Sequence, residues 1–463
     1  MAPGAGTAAA IYRAGVARLT HHLGGEHRTR VIVVLACVLG LSGADVTTVG
    51  ASATELRHGL HISNTDIGLL VAVTSLVGAA AAVPFGALAD RVRRTQVLGG
   101  AILLWGGAMI WSATPATFGG LLLARVFLGI VTAAAGPFVA SLVGDYFPGS
   151  ERGRVYGFIL AGELLGAGFG FAVTGDIAAL SWRAAFVVLA IPAFVLAWFV
   201  VHLDEPKRGG KAAEPDARAT DAQHLVRRHG VEPDPERVLR RDPRRLGIVA
   251  AARYALGVRT NLILIGASAC GYYFLAGLQT FGVEFVKGQY RIGQAPANLL
   301  LLVIGGGAVG GVLIGGQLSD SLLRRGMLSA RIVVSTVVVS LAALLFAPAL
   351  FTRSAVTAAP YIVAAAFCLA AQNPPLDAAR LDIMPPLLWG RAEGIRTLVR
   401  SLAQALAPLL FGAVSDYVFG GGHSGLKWTF VVMLVPLVAS AALLYRALGT
   451  YAQDVATAAA APS

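Results

Sequence analysis

A few ionisable residues stand inside long apolar runs, and they are the first candidates for chemistry. The chain is only 13% charged, and a charge held in hydrocarbon is costly enough that each instance needs a reason. Asp45, Arg125, Glu163 and Arg400 are such cases. At 1.5 Å per helical residue, Asp45 lies about 9 Å below the outer membrane surface and Arg125 about 10 Å below it. An ion pair between them is therefore allowed. It reads either as a permanent buried bridge or as a carboxylate that trades its arginine for a proton or a polar head group. Glu163 and Arg400 fall at equivalent depths in the two halves of the chain, an acid and a base that could line opposite walls of a cavity open to the cytoplasm. A desolvated carboxyl at Glu163 is a second protonation candidate, and a polar residue on a Gly-rich packing face (Gly162, Gly166, Gly168, Gly170) is the competing reading. Tyr272, Tyr273, Gln279, Gln372 and Asn373 add polar groups at mid-membrane, with Phe274 and Phe281 beside them. Such walls suit an amphipathic ligand. Glu284, Asp377, Arg380 and Asp382 fall near the ends of apolar runs and read as gate or surface groups.

The elements that position these residues follow from hydropathy. The 463 residues are 56% hydrophobic, in blocks of roughly 20, enough to cross about 30 Å of hydrocarbon as helix. Twelve spans are expected, at 31–54, 66–89, 97–113, 118–144, 155–175, 183–202, 261–284, 297–318, 331–351, 358–384, 394–418 and 427–448. Basic residues concentrate in alternate connections, which places both termini and the 2–3, 4–5, 6–7, 8–9 and 10–11 connections in the cytoplasm. The net charge of +12 thus reports orientation, and nucleic acid is excluded as a partner. Residues 1–30 read as a cytoplasmic N-terminal tail, 31–202 and 260–448 as two six-helix bundles, 203–259 as a basic linker and 449–463 as a C-terminal tail. Within the linker, residues 240–259 alternate arginines with Leu246, Ile248, Val249, Tyr254 and Leu256. That pattern fits either a helix on an anionic leaflet or a solvated tether. Cys37, Cys270 and Cys368 lie in apolar runs without metal-ligand spacing, so no metal or cofactor is expected. His58 and His61 sit in an outer loop and read as surface residues. No phosphate-binding Gly-x-x-x-x-Gly-Lys-Ser/Thr loop, His-Glu-x-x-His or Gly-x-Ser-x-Gly occurs, which argues against an enzyme.

The chain also repeats itself. Gly86-Ala87-Leu88-Ala89-Asp90-Arg91-Val92-Arg93-Arg94 links spans two and three. Gly316-Gln317-Leu318-Ser319-Asp320, followed by Arg324, recurs about half a chain later. Gly153-Arg154-Val155-Tyr156-Gly157 and Gly390-Arg391-Ala392-Glu393-Gly394 open spans five and eleven with nearly the same offset. The first loop resembles the Gly-x-Leu-x-Asp-Arg-x-Gly-Arg-Arg/Lys motif of the major facilitator superfamily, with Val92 where that family has Gly. The resemblance implies an all-α membrane protein of twelve transmembrane helices in two pseudo-symmetric bundles. It also implies that Gly86, Asp90, Arg91, Arg93, Arg94, Asp320 and Arg324 form a conformational latch. The stretch from Arg125 through Asp145-Tyr146-Phe147-Pro148 to Arg154 is similar to the spinster-like lysolipid branch, although Val46 and Thr132 replace an Arg and a Glu expected there. The expectation is a monomeric secondary transporter of the cell membrane, proton-coupled or facilitative, working by alternating access. Its expected partners are protons, membrane lipids and a small amphipathic or lipid substrate such as a lysophospholipid. A drug or metabolite efflux antiporter of the same superfamily is the alternative, and a non-transporting receptor or scaffold is the reading from another class.

Overall fold

The computed structural model describes residues 25–461 apart from 63, 209–220, 240–241, 244–245, 293 and 421. The first 24 residues of the expected N-terminal tail, and the side chains of His58 and Glu284, lie outside what is described. Every regular element among the described residues is helical. The first half comprises α1 (Glu26–Ala51), α2 (Ala53–Leu60), α3 (Asn64–Ala89), α4 (Arg94–Ser112), α5 (Phe118–Thr132), α6 (Ala135–Tyr146), α7 (Arg152–Leu180) and α8 (Trp182–Val201). The linker carries α9 (Asp221–Arg228) and α10 (Ile248–Gly257). The second half comprises α11 (Arg259–Tyr290), α12 (Gln294–Arg324), α13 (Ala330–Phe351), α14 (Ala355–Ala371), α15 (Asn373–Asp382), α16 (Trp389–Ala413), α17 (Gly422–Val432), α18 (Leu434–Ala447) and α19 (Tyr451–Ala459). Nine spans among the described residues are apolar and long enough to cross a membrane by composition alone.

Three expected spans arrive as broken pairs, α5–α6, α14–α15 and α17–α18, and proline explains each break. A proline leaves the carbonyl four residues earlier without its helical donor. Pro137 does so to Ala133, Pro374 and Pro375 to Ala370 and Ala371, and Pro436 to Val432, which lie at or beside the breaks. Side-chain caps set other boundaries: Thr117 Oγ1 accepts from the Gly120 amide at the start of α5, and Ser181 Oγ from the Ala184 amide at the start of α8.

Glycines bring the helices to contact distance. Gly162 and Gly170 of α7 press on α1, where an added Cβ would lie 2.6 Å from the Ala36 oxygen and 2.7 Å from the Ala44 oxygen. The Gly-rich run of α7 is thus a packing face, except Gly168, which faces open space. In α12, Gly307, Gly311 and Gly315 lie on α14, while Gly305 and Gly306 touch nothing. The two halves meet along α3–α16 and α7–α12. A Cβ on Gly394 would stand 2.5 Å from the Ala82 oxygen, and one on Gly157 2.6 Å from the Val312 oxygen. Both contacts lie toward the face bearing the Asp90 and Asp320 loops, called here the basic face. Trp389 through Arg396 of α16 are all buried, and burial declines from Thr397 onward. On α7 the same change comes after Ala161. The halves are therefore shut at the basic face and separate above it.

The connecting segments differ from simple tethers. Residues expected as a loose C-terminal tail form α19, with Tyr451 and Val455 fully buried. Linker residues Leu239, Leu246 and Ala251 make a small apolar cluster with Leu388 at the foot of α16.

A side chain at Gly394 has only backbone to meet, so Gly394→Val should wedge α16 from α3 and cost about 1–3 kcal/mol of the closed arrangement. The check is thiol alkylation of a cysteine placed at the buried Ala392, which should quicken in the wedged protein. An unchanged alkylation rate would show that the basic-face contact does not depend on this approach.

Candidate functional site

Asp90 and Asp320 perform one job in mirrored positions. The Asp90 carboxylate accepts from the Gly390 amide at 2.9 Å, the Arg391 amide at 3.1 Å and Arg391 Nε at 2.7 Å. These amides open α16, where the helix presents unpaired donors and positive dipole. Asp320 accepts from the Arg154 amide at 2.7 Å, at the start of α7, and Arg331 stands 3.4 Å from its other oxygen. Each half thus caps a helix of the other. Burial pushes the Asp90 carboxyl up to about 6 in spite of Arg391 and the two amides. Asp320 is likewise pushed up to about 6 by burial, against the pull of Arg331 and the Arg154 amide.

The loop arginines divide their work. Arg91 Nη2 donates to the Leu246 oxygen of the linker at 3.2 Å. Arg93 is exposed. Arg94 is fully buried and faces away from Asp90: it pairs with Asp145, donates to Ser141 Oγ at 3.0 Å and binds Glu205 at 2.8 Å. Burial works against ionisation of Glu205, but the Thr95 amide and Arg94 outweigh it and hold the carboxyl below its ordinary range. The second half repeats this tie. Arg331 pairs with Asp382, which also accepts from the Tyr451 hydroxyl at 2.6 Å. Arg324 Nη1 crosses to the Ser150 oxygen at 3.0 Å. Arg94–Asp145 and Arg331–Asp382 share one spacing of 51 residues, a further repeat signal carried by the sequence. Asp382, expected at a gate or surface, is fully buried in this tie.

Above the latch lies a second charged layer. Arg380 pairs with Asp377 and donates to Ser268 Oγ at 2.6 Å. Arg396 pairs with Glu393 and stands 3.4 Å from Asp377. With Tyr156, Met384 and Trp389, parts of this layer line a small enclosed cavity. Asp377 and Arg380 are therefore interior groups, not surface ones, because the break before α15 turns them inward. Glu393 and Arg396 were missed by sequence reasoning, since they sit at the expected boundary of span eleven. One further turn up, Arg400 stacks over Tyr272 with its guanidinium carbon 4.8 Å from the ring centroid, and its buried Nε has no hydrogen-bond partner. It is the strongest opposite charge acting on Glu163 across the gap between the halves. Among the described residues, no hydrogen bond reaches the Glu163 carboxylate.

In the first half, Arg125 Nη1 donates to Asp45 Oδ1 at 3.0 Å, both groups buried. The arginine also lies over the Phe186 ring. The remaining expected cavity residues disperse. Gln372 is buried with Oε1 unpartnered, and Asn373 begins α15. Gln279 is exposed, two turns beyond Tyr272 on the same face of α11. Tyr273 turns the other way: its hydroxyl meets Met433 Sδ at 3.4 Å and its ring packs 5.8 Å from Phe411. It packs inside the second half rather than beside Arg400.

A sequence profile described as Major Facilitator Superfamily matches residues 35–367. The chain belongs to the Major Facilitator Superfamily. Its similarity to individual members is modest. It is 28% identical to a probable L-galactonate transporter of Escherichia coli (strain K12) over 38% of this chain and 39% of that protein. It is 28% identical to the 4-hydroxybenzoate transporter PcaK of Pseudomonas putida, over 40% and 41%. With protein spinster homolog 1 of Rattus norvegicus it shares 28% identity, over 42% and 38%. The matched stretch is about two fifths of the length of these curated relatives. In fold, it superimposes on the proton:xylose symporter XylE with a TM-score of 0.68 at 16% identity, over 90% of this chain and 95% of that one. A bacterial homolog of the human lysosomal transporter Spinster gives 0.59 at 20%, over 93% and 98%. The superfamily fold makes this a multi-pass integral membrane protein.

The halves are closed at the basic face, not open there as the sequence suggests, with Glu163 and Arg400 at the floor of the separation above. Two predictions follow from the latch chemistry. Truncating a fully buried arginine leaves its carboxylates uncompensated, so Arg331→Ala should lose about 3–5 kcal/mol, read as thermal unfolding in detergent. The exposed Arg324→Ala should change it by about 1 kcal/mol or less. Asp90 and Asp320 bind protons more tightly buried than when exposed to water. The closed latch therefore gains stability as pH falls through about 6, and the gain is complete below the ordinary carboxylate range. Alkylation of the Ala392→Cys probe, taken relative to that of a solvent-exposed cysteine so that the loss of thiolate cancels, should slow between pH 7.5 and pH 5, and Asp90→Asn should flatten part of that dependence. A rate that rises on acidification refutes the burial argument.

Proposed function

We propose that the protein is a secondary active transporter of the cytoplasmic membrane that works by alternating access and couples transport to protons. Its solute is amphipathic and carries an anionic group, as a lysophospholipid does. The observation that carries this reading is the Glu163–Arg400 pair. Among the described residues, no hydrogen bond reaches the acid and the buried Nε of the guanidinium has no partner, and the two belong to different halves at the point where the halves part. An arginine stacked on tyrosine is a fork for carboxylate or phosphate. The exposed Leu165, Phe169, Leu402, Leu406 and Leu409 on α7 and α16 offer apolar surface beyond it. Charge distribution puts the basic face in the cytoplasm, so the observed state opens outward. Asp45–Arg125 is a second buried ion pair in the first half, bonded in the observed state.

A second reading, exchange or efflux of a small organic acid, is favoured by the names of the sugar-acid and aromatic-acid transporters to which the chain is similar. The same arginine serves it. Proteoliposomes separate the two. A lysophospholipid, galactonate and 4-hydroxybenzoate are each offered with and without an imposed proton gradient. Gradient-driven movement of the lysophospholipid is expected, with Glu163→Gln abolishing the response to the gradient and Arg400→Gln raising the apparent KM at least tenfold. Movement of the small acids alone selects the second reading. Gradient-driven transport that survives unchanged in Glu163→Gln removes this acid from coupling, and saturable transport of none of them points to a receptor or scaffold.

A further inference from the structure

Helix α10 has two faces with different tasks. Its inner face carries the buried Ala251 and Ala255 and packs on α3, α11 and α16. Its outer face carries Ile248, Val249 and Leu256, exposed to 43%, 74% and 41%, with the exposed Arg253 among them. On a ten-residue helix in water, such a face would leave most of its apolar side-chain surface solvated. The next helix removes that difficulty. The chain turns at Val258 and enters α11 at once, with Arg259 as its first residue and exposed. Asn261 Nδ2 ties the corner by donating to the Ala255 oxygen at 2.8 Å. Since α11 is a membrane span, α10 is held within about one helical turn of the bilayer surface. Apolar residues interleaved with arginine at that level suit the acyl–headgroup boundary of an anionic leaflet.

The segment leading into α10 reaches the latch. Arg391, which grips Asp90, also donates to the Leu246 oxygen at 3.0 Å and the Pro243 oxygen at 3.0 Å. Arg91 of the first half donates to the same Leu246 oxygen. One linker carbonyl therefore accepts from both halves, two residues before α10 begins.

We propose that α10 is a membrane-seated strap. Anionic lipid headgroups at Arg253 and Arg259 and insertion of Ile248, Val249 and Leu256 hold the Leu246 carbonyl over Arg391 and Arg91, which favours the state closed at the basic face. The strap rests on the latch geometry and is independent of which solute is carried.

The test uses the full chain with Cys37, Cys270 and Cys368 replaced by serine. It is reconstituted in phosphatidylcholine vesicles with or without phosphatidylglycerol. A nitroxide on Val249→Cys should be accessible to oxygen and shielded from a polar nickel relaxant, more so with the anionic lipid. In parallel, alkylation of Ala392→Cys should slow when phosphatidylglycerol is present. Arg253→Gln with Arg259→Gln should abolish that slowing, a change of up to about thirtyfold for two surface charges. Neither arginine touches the latch or the Glu163–Arg400 site, so folding and solute binding remain as controls. A nitroxide open to the nickel relaxant in both lipids makes α10 a solvated tether. One shielded from both probes makes it a contact with a second protein. Alkylation that ignores both lipid and arginines uncouples the strap from the latch. Each of these three results overturns the proposal.

Discussion

The structure depends on a carboxylate near the end of a helix in one half that caps a helix of the other. Asp90 meets the first amides of α16, and Asp320 those of α7. A buried carboxylate is tolerable only with strong donors, and a helix N-terminus supplies them in fixed geometry. That single requirement explains much of the nearby sequence. The donors come within reach only if the helices touch, so Gly86, Gly390 and Gly394 line one crossing and Gly153, Gly157 and Gly316 the other. Because the donors belong to the opposite half, the capping bonds vanish when the halves part. The interaction is therefore available only while these two crossings are closed.

Around this contact, ions are arranged in tiers with different degrees of commitment. The ties Arg94–Asp145 and Arg331–Asp382 each join two residues of one half, although Arg331 also donates to the Gly149 oxygen and Arg152 stands 3.9 Å from Asp382, so the second tie reaches the first half as well. The Asp90 and Asp320 contacts cross between halves and do not survive opening. The two kinds look alike in sequence, since all involve an Arg and an Asp near a span end. What separates them is which bundle each partner belongs to, a question of topology rather than residue type. This is why Arg94, grouped by sequence with the loop arginines, turns out to bind inside its own half.

The spans and the duplication were legible because each rests on a long repeated pattern, hydropathy in blocks and glycine motifs at a common offset. Depth counting placed Asp45 and Arg125 at one level, and they are bonded. Finer directions were not legible. Tyr272 and Tyr273 are neighbours in sequence, but successive helical residues point about 100° apart, so only the first meets Arg400. Proline positions alone would not have foretold the breaks in spans four, ten and twelve, since Pro84, Pro192, Pro348, Pro360 and Pro408 sit inside helices that stay continuous. The docking of the linker had no sequence signal, because its acceptors at Pro243 and Leu246 are backbone carbonyls, which every residue carries.

The charge pattern of the upper layer bears on coupling. In the second half, Arg380 and Arg396 are matched by Asp377 and Glu393. Arg400 is one cation beyond that balance, and the acid that answers it, Glu163, comes from the first half. Their attraction thus acts between the bundles, above the latch and in the same sense. A proton on Glu163 or an anion on Arg400 each removes one side of it, but they leave different residues behind. Protonation leaves a free arginine, which attracts an anionic solute; an anion leaves a carboxylate beside a second negative charge, which attracts a proton. Each event favours the other at the site, and together they restore neutrality to a gap that has to close over them. Under the proposed function, proton and solute would then be linked by electrostatics alone, without direct contact between them.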